Sequence, residues 1–177
     1  MVKKMFVKLI GMSTVMLSTI LIGYCMNEKY KNHVIELKNL VLCMEAFENE
    51  IRYNSYDIIT ALKKIKNTAT FHNAIVFDSF YRNAQNSDGE QLSVVWEKSL
   101  AEVSDKLCFD KDDIFEIRNF GKILGSGDSE TQIKNIRNFI NSLKDNIETA
   151  ETKSAKNGNI FSKLGIYFGL LIAVLLF

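Results

Sequence analysis

Not one of the 177 residues is proline. No interior position therefore lacks an N–H donor or has its φ locked by a ring. Such a chain can be divided only by glycines, by capping side chains and by the spacing of its apolar residues. That spacing is helical along nearly the whole length, and it predicts an all-α fold. Glycine is scarce where it would break helices. Of nine glycines only Gly89, Gly121, Gly125 and Gly127 lie between Asn27 and Asn157, and three of these four fall within seven residues. The stretch Phe120–Ile136, FGKILGSGDSETQIKNI, is thus the strongest interruption in the chain. Gly125 suits the position just past a helix end, where positive φ is needed. Asp128 suits an N-cap, with Glu130 in the following first turn. The stretch reads as a tight corner between two helices.

Both ends of the chain are apolar. Leu9–Met26 is an uncharged run of eighteen residues behind Lys3, Lys4 and Lys8. As a helix it would measure about 27 Å, close to the roughly 30 Å hydrocarbon layer. A cleaved signal peptide fits less well, since no A-x-A-like site follows and Tyr24 precedes Cys25. Leu164–Phe177, LGIYFGLLIAVLLF, closes the chain. It is short for a span at about 21 Å, but Ile160 and Phe161 extend it while Lys163 snorkels outward. Gly165 and Gly169 form a GxxxG pair that would let another membrane helix approach closely. The expected organisation is an N-terminal transmembrane anchor over 1–26, a helical bundle domain over 27–159 and a C-terminal transmembrane segment over 160–177. Lys29, Lys31, Lys38, Lys153, Lys156 and Lys163 flank the domain side of the spans, against three lysines on the other side, which favours a cytoplasmic domain.

Within the domain, Leu37, Leu40, Met44, Phe47 and Ile51 alternate by three and four, as do Ile133, Ile136, Ile140, Leu143, Ile147 and Ala150. One helix leaves the membrane and the other returns to it. The two are expected to run antiparallel as a long pair inside a bundle of about six helices. Four shorter amphipathic stretches lie between them. Asp57–Asn67 carries Ile58, Leu62 and Ile65, and Thr70–Ala84 carries Phe77 and Phe80. Asp88 with Gln91 reads as a capping box ahead of Leu92, Val95, Trp96, Leu100 and Val103. Asp110 caps a helix with Ile114, Ile117, Gly121 and Leu124 inward. Trp96 is expected in the core.

Constellations for chemistry are missing from this reading. His33 and His72 stand alone, outside any metal-binding spacing. Gly125 and Gly127 lack the Lys-Ser/Thr of a phosphate loop, and Asp128 would repel phosphate. The three cysteines have no CxxC spacing. Glu45, Glu48 and Glu50 are explained by a solvated helix face. A net charge of +1 offers no basic surplus for nucleic acid. The expectation is a protein without enzymatic activity and without cofactor, metal or nucleic-acid partner.

Several of these residues also carry a family resemblance. They are Leu37–Leu40 leading to Glu48, Glu50-Ile51 and Tyr53, then Trp96-Glu97-Lys98-Ser99-Leu100. Phe120-Gly121-x-x-Leu124-Gly125-x-x-Asp128 follows with Gln132 and Ile136, and the set ends on Leu164-Gly165 and the aliphatic tail. On these residues the sequence resembles the stage III sporulation protein AB family of endospore-forming bacteria. Relatives tend to have Tyr-Gly-x-x-Pro-Leu where this chain has Tyr53-Asn54-Ser55-Tyr56-Asp57-Ile58; Asn can take the left-handed turn and Asp can cap.

The resemblance implies a component of the channel complex between mother cell and forespore, in the mother-cell membrane. It is similar to the all-helical cytoplasmic domains of type II secretion and type IV pilus inner-membrane platform proteins. The implied partners are a secretion-type ATPase resembling stage III sporulation protein AA, other membrane subunits of the channel, and the lipid bilayer. Gly121, Leu124, Gly125, Ser126, Asp128 and Gln132 are the motif residues expected at a partner contact, with Ser126 and Ser129 free of any capping duty. The alternative function is a two-span membrane sensor, although such receptors carry an output domain beyond the second span and this chain stops at Phe177.

Overall fold

The computed structural model describes the backbone of residues 2–54, 57–68, 73–87 and 89–176. The side chains of 2–9, 12, 54, 66–68, 73–74, 157–159, 161–162, 165–166, 168–170 and 173–176 lie outside this description. Among the described residues every regular element is helical: α1 (Val2–Asn54), α2 (Ile58–Thr68), α3 (Asn73–Gln85), α4 (Leu92–Val103), a single 3-10 turn (Ser104–Lys106), α5 (Lys111–Ile123) and α6 (Ser129–Leu176). The all-α bundle with two long helices is what the proline-free, 3.6-periodic sequence predicts. The outer helices are longer than the apolar spacing alone marks out. α1 has 53 residues and α6 has 48, the latter running straight through the polar stretch Ser154–Asn159. No proline or left-handed glycine stands there to stop it.

Two compact units divide the chain, Ile35–Glu148 on the one hand and Met1–Val34 with Thr149–Phe177 on the other. The first is the helical bundle. Its α1 seam is buried as the three-four spacing requires, with Leu37, Leu40, Met44, Phe47 and Ile51 all inside. On α6, Ile136, Phe139, Ile140 and Leu143 are buried, whereas Ile133 and Ile147 are only half-buried. The inward stripe is therefore wider than a two-position coiled-coil seam, as a helix in a globular bundle needs. Lys144 reaches Glu45 at 2.8 Å and Arg137 reaches Glu48 at 2.8 Å. The partner number falls on α6 as it rises on α1, so within this unit the two helices are antiparallel.

Between them the short helices pack on their chain neighbours, α2 on α3, α3 on α4 and α4 on α5. Trp96 lies at their centre, 2% exposed, edge-on to Phe80 at 4.9 Å and to Phe120 at 5.7 Å. Phe120 in turn stacks on Phe139 of α6 at 4.5 Å. A polar seam crosses α3 and α4. Ser79 donates to Glu102 at 2.6 Å and Asn83 donates to Ser99 at 3.0 Å.

Two expectations need correction here. Helix α4 does not begin at a capping box of Asp88 and Gln91. Gln91 is itself the N-cap, makes no side-chain cap bond, and is followed by Leu92. Gly89 holds φ +83, which a first helical residue cannot have, so the helix starts later. Asp88 lies outside the described residues. Nor is the solvated face complete, since Glu45 and Glu50 stay part-exposed but Glu48 is buried. Each is ion-paired, and Glu48 is 9% exposed.

In the second unit the apolar run of α1 leaves Leu17, Leu21 and Ile22 more than 60% exposed. Thr14, Ser18 and Thr19 donate their hydroxyls back to carbonyls three or four residues earlier in their own helix. Among the described residues no helix is long and apolar enough to cross a membrane. The side chains of Leu9 and Met12 and most of those of Leu164–Phe177, including Gly165 and Gly169, lie outside the described residues.

Candidate functional site

The corner between α5 and α6 is built from both of its ends. α5 starts on a reciprocal capping box. Asp110 accepts from the N–H groups of Asp112 and Asp113, each at 3.0 Å, and buried Asp113 accepts from the Asp110 N–H at 3.1 Å. It ends at Leu124, which is extended and buried, and Gly125 follows at φ +78. A left-handed residue directly after the C-cap is the expected helix stop. The Ile123 carbonyl accepts from the Ser126 N–H at 3.3 Å and from the Ser126 hydroxyl at 2.6 Å. Ser126 is thus committed to the helix end, contrary to the expectation that it is free. Ser129 makes no such bond.

Asp128 caps α6 as predicted. Its Oδ1 accepts from the Thr131 N–H at 2.9 Å, while its carbonyl accepts from the Gln132 N–H at 3.0 Å. Hydrogen bonding from the Thr131 side chain, and then from its backbone N–H, holds the Asp128 carboxyl below its ordinary value.

Gln132 closes the corner. It is 5% exposed. Its Oε1 accepts from the Gly125 N–H at 3.1 Å, and its Nε2 donates to the Ser126 carbonyl. One amide thereby satisfies a donor and an acceptor of the turn that regular helix geometry leaves open. The structure brings Leu124, Gly125, Ser126, Asp128 and Gln132 together at this clasp, with Leu92 of α4 beneath Gly125.

Gly121 belongs to a different contact. It sits inside α5 against the Trp96 indole, and a Cβ there would lie 1.8 Å from Trp96 Cδ1. The indole N–H donates to the Ile117 carbonyl at 3.0 Å, within the same helix. Trp96 is in the core as expected. Its role in demanding a glycine at 121 was not visible in the spacing.

Seven consecutive residues, Gly125–Thr131, are exposed, although their backbone is held from inside. Beside them α6 borders a cleft of about 510 Å³ lined from Asp128 to Asn141. The sequence offered one signal for the clasp. Gln132 lies four residues before buried Ile136 and seven before buried Phe139, so it is a polar group on an inward stripe that needs partners. No spacing rule says that those partners are backbone groups of the preceding turn.

Fold and corner together define a class: an all-α bundle protein in which a buried glutamine clasps the turn between two helices. Within that class, the chain belongs to the stage III sporulation protein AB family, whose model matches residues 8–177. It is similar to Stage III sporulation protein AB of Bacillus subtilis (strain 168), with 27% identity over 169 residues, 96% of this chain and 98% of that protein. A solved structure titled Stage III sporulation protein AB (SpoIIIAB) resembles it with a TM-score of 0.64 at 24% identity, covering 70% of this chain and 96% of that one. At that identity the structural likeness speaks for the fold.

Proposed function

We propose that this protein is a non-enzymatic platform in the sporulation channel complex, anchored in the mother-cell membrane by two spans. Its bundle faces the cytoplasm and docks a secretion-type ATPase resembling stage III sporulation protein AA. The long helices couple that motor to other membrane subunits. Family membership supports the sporulation role. Two features support the membrane spans. The described large apolar residues of Leu9–Met26 are largely exposed, a pattern that marks a lipid- or protein-facing surface. The hydroxyls of Thr14, Ser18 and Thr19 are satisfied within their own helix, as a hydrocarbon setting demands.

The observation that carries the docking reading is the corner. Its exposed residues stand on a backbone fixed by Asp128 and Gln132, so a partner meets a surface that needs little further ordering. α1 and α6 each combine an apolar terminal run with bundle-forming turns in one continuous helix. A push at the corner would therefore act on helices that also carry the membrane anchors.

Co-purification from membranes of sporulating cells, with and without the ATPase, tests the partner. Retention of the ATPase on the wild-type chain, and its loss with Ser129→Arg at unchanged helicity, is expected. Failure of the ATPase to co-purify would sink the platform reading. A protease site inserted at residues 89–91 should be cut in inverted vesicles and spared in intact cells; the reverse pattern would remove the cytoplasmic topology.

A further inference from the structure

The charges of this chain are not shared evenly between its two compact units. Residues 35–148 carry 19 Asp and Glu against 14 Lys and Arg, so the bundle is net acidic. Residues 1–34 and 149–177 carry 8 Lys and no Arg against only 2 acidic residues, Glu28 and Glu151. The near-neutral total of +1 conceals that division. In the second unit Lys29, Lys31, Lys153, Lys156 and Lys163 are all exposed. Lys31 has Glu28 at 3.4 Å, and the other four make no ion pair among the described residues.

The same order of residue types leads inward from either chain end. On α1 the uncharged run closes with exposed Tyr24 and then Met26, and Lys29 and Lys31 follow. On α6 exposed Tyr167 and Leu164 come first, then Lys163, Lys156 and Lys153. Lys29 and Lys31 lie about 4.5 and 7.5 Å of helix beyond Met26, and the headgroup layer beside the hydrocarbon is about 5–7 Å thick. Lys163 adjoins Leu164 directly. Lys156 and Lys153 stand about 12 and 16 Å from Leu164 along the helix, within roughly a Debye length of about 10 Å from that layer's outer edge. Tyrosine, with its apolar ring and polar tip, favours the boundary between hydrocarbon and headgroups.

Resting on the two-span reading above, we infer that these five lysines form a collar that binds anionic lipid headgroups, each ammonium meeting the phosphate of a lipid of the phosphatidylglycerol type. Lysine suits that task, because its compact charge and three donors ride on a flexible stem that can follow a mobile phosphate. Apolar run, tyrosine and lysine in sequence on both helices match the layers of a bilayer surface, which an acidic protein partner would not require. The net-acidic bundle contributes no attraction to such a surface, so a headgroup preference belongs to the collar. Orienting the spans during insertion uses the same charges, but it predicts no lipid preference in a chain already inserted.

The full-length chain in phosphatidylcholine vesicles, with a trace of spin-labelled phosphatidylglycerol or spin-labelled phosphatidylcholine, provides the test. Electron paramagnetic resonance reads the fraction of each label that the chain holds motionally restricted. A lysine at an anionic surface strengthens attraction by about fivefold, so phosphatidylglycerol should be favoured several-fold at low salt. The preference should shrink as salt rises. Changing Lys29, Lys31, Lys153, Lys156 and Lys163 together to Gln should abolish it, with circular dichroism unchanged. Changing the exposed bundle lysines Lys63, Lys106, Lys111, Lys122 and Lys134 to Gln removes as much charge and should leave the preference intact. Equal restriction of both labels by the wild-type chain overturns the collar while the spans stand. So does a preference that survives in the collar variant or is lost in the bundle variant. If the wild-type chain restricts neither label, it is not embedded, and both readings fall.

Discussion

Replacing Gly121 by alanine sets two effects of opposite sign against each other. In an isolated helix the change stabilises, since alanine is preferred over glycine by up to about 1 kcal/mol. Here the new methyl would stand 1.8 Å from Trp96 Cδ1 and 2.5 Å from both Cγ and Nε1. Carbon atoms pack at about 3.5–4 Å, so the indole or α5 must retreat by about 2 Å. The indole has nowhere to go, with Phe80 at 4.9 Å and Phe120 at 5.7 Å. Retreat also breaks the 3.0 Å bond from its N–H to the Ile117 carbonyl. A buried donor left without a partner costs about 1–3 kcal/mol, and overpacking costs about 1–3 kcal/mol more. After subtracting the helix gain, destabilisation of about 3 kcal/mol is expected, or a melting point lower by about 10 °C for a chain of this size. Trp96 is the sole tryptophan, so its fluorescence reports both the melt and the displacement. The full-length variant in detergent should melt early and emit further to the red. A variant as stable as wild type, with unshifted emission, would refute the close packing.

Other consequences are read more briefly. Gln132→Leu removes both bonds of the clasp and leaves the Gly125 N–H and Ser126 carbonyl unpaired; about 1–3 kcal/mol should be lost, with hydrogen exchange rising first at residues 124–131. The depressed Asp128 carboxyl contributes stability that is present above its ordinary pKa and disappears as pH falls through the lower folded value. Exchange protection of the Thr131 amide should therefore fall below about pH 4, and Asp128→Asn, which still caps, should remove that dependence. Burial, reinforced by the Glu36 charge, pushes the Cys43 thiol up to about 11. At pH 8 it should resist iodoacetamide in the folded chain, whereas exposed Cys108 reacts. Mass spectrometry after alkylation checks both.

The parts of the fold legible in the sequence are those where cause and effect lie close in the chain. Asp110 and Asp128 cap their helices because a side chain needs only its own next three residues to do so. Gly125 ends α5 because positive φ is a property of one residue. The α1 seam from Leu37 to Ile51 follows from one helix's period. What escaped depends on a second element. Gly121 is glycine because of Trp96, and Glu48 is an interhelical partner because Arg137, 89 residues later, lies opposite it. At the corner the motif residues were all visible, but the clasp was not, since it needs the reach of the Gln132 side chain back across the turn. Asp88 and Gln91 show the reverse case, a correct local pattern overruled by the left-handed turn at Gly89.

Separation along the chain also sets an order of assembly. The clasp joins residues seven apart and the Trp96–Ile117 bond joins residues 21 apart, whereas the Glu48–Arg137 and Glu45–Lys144 pairs span 89 and 99. Loop closure favours the short separations, so the α4–α5 contacts and the corner can form as soon as the start of α6 is synthesised. α1 emerges first and can meet α2 early, through Glu50 and Lys64, fourteen residues apart. Its Glu45 and Glu48 must wait through the whole of translation for Lys144 and Arg137, so the step that closes the long-helix pair is the arrival of the helix made at the other end.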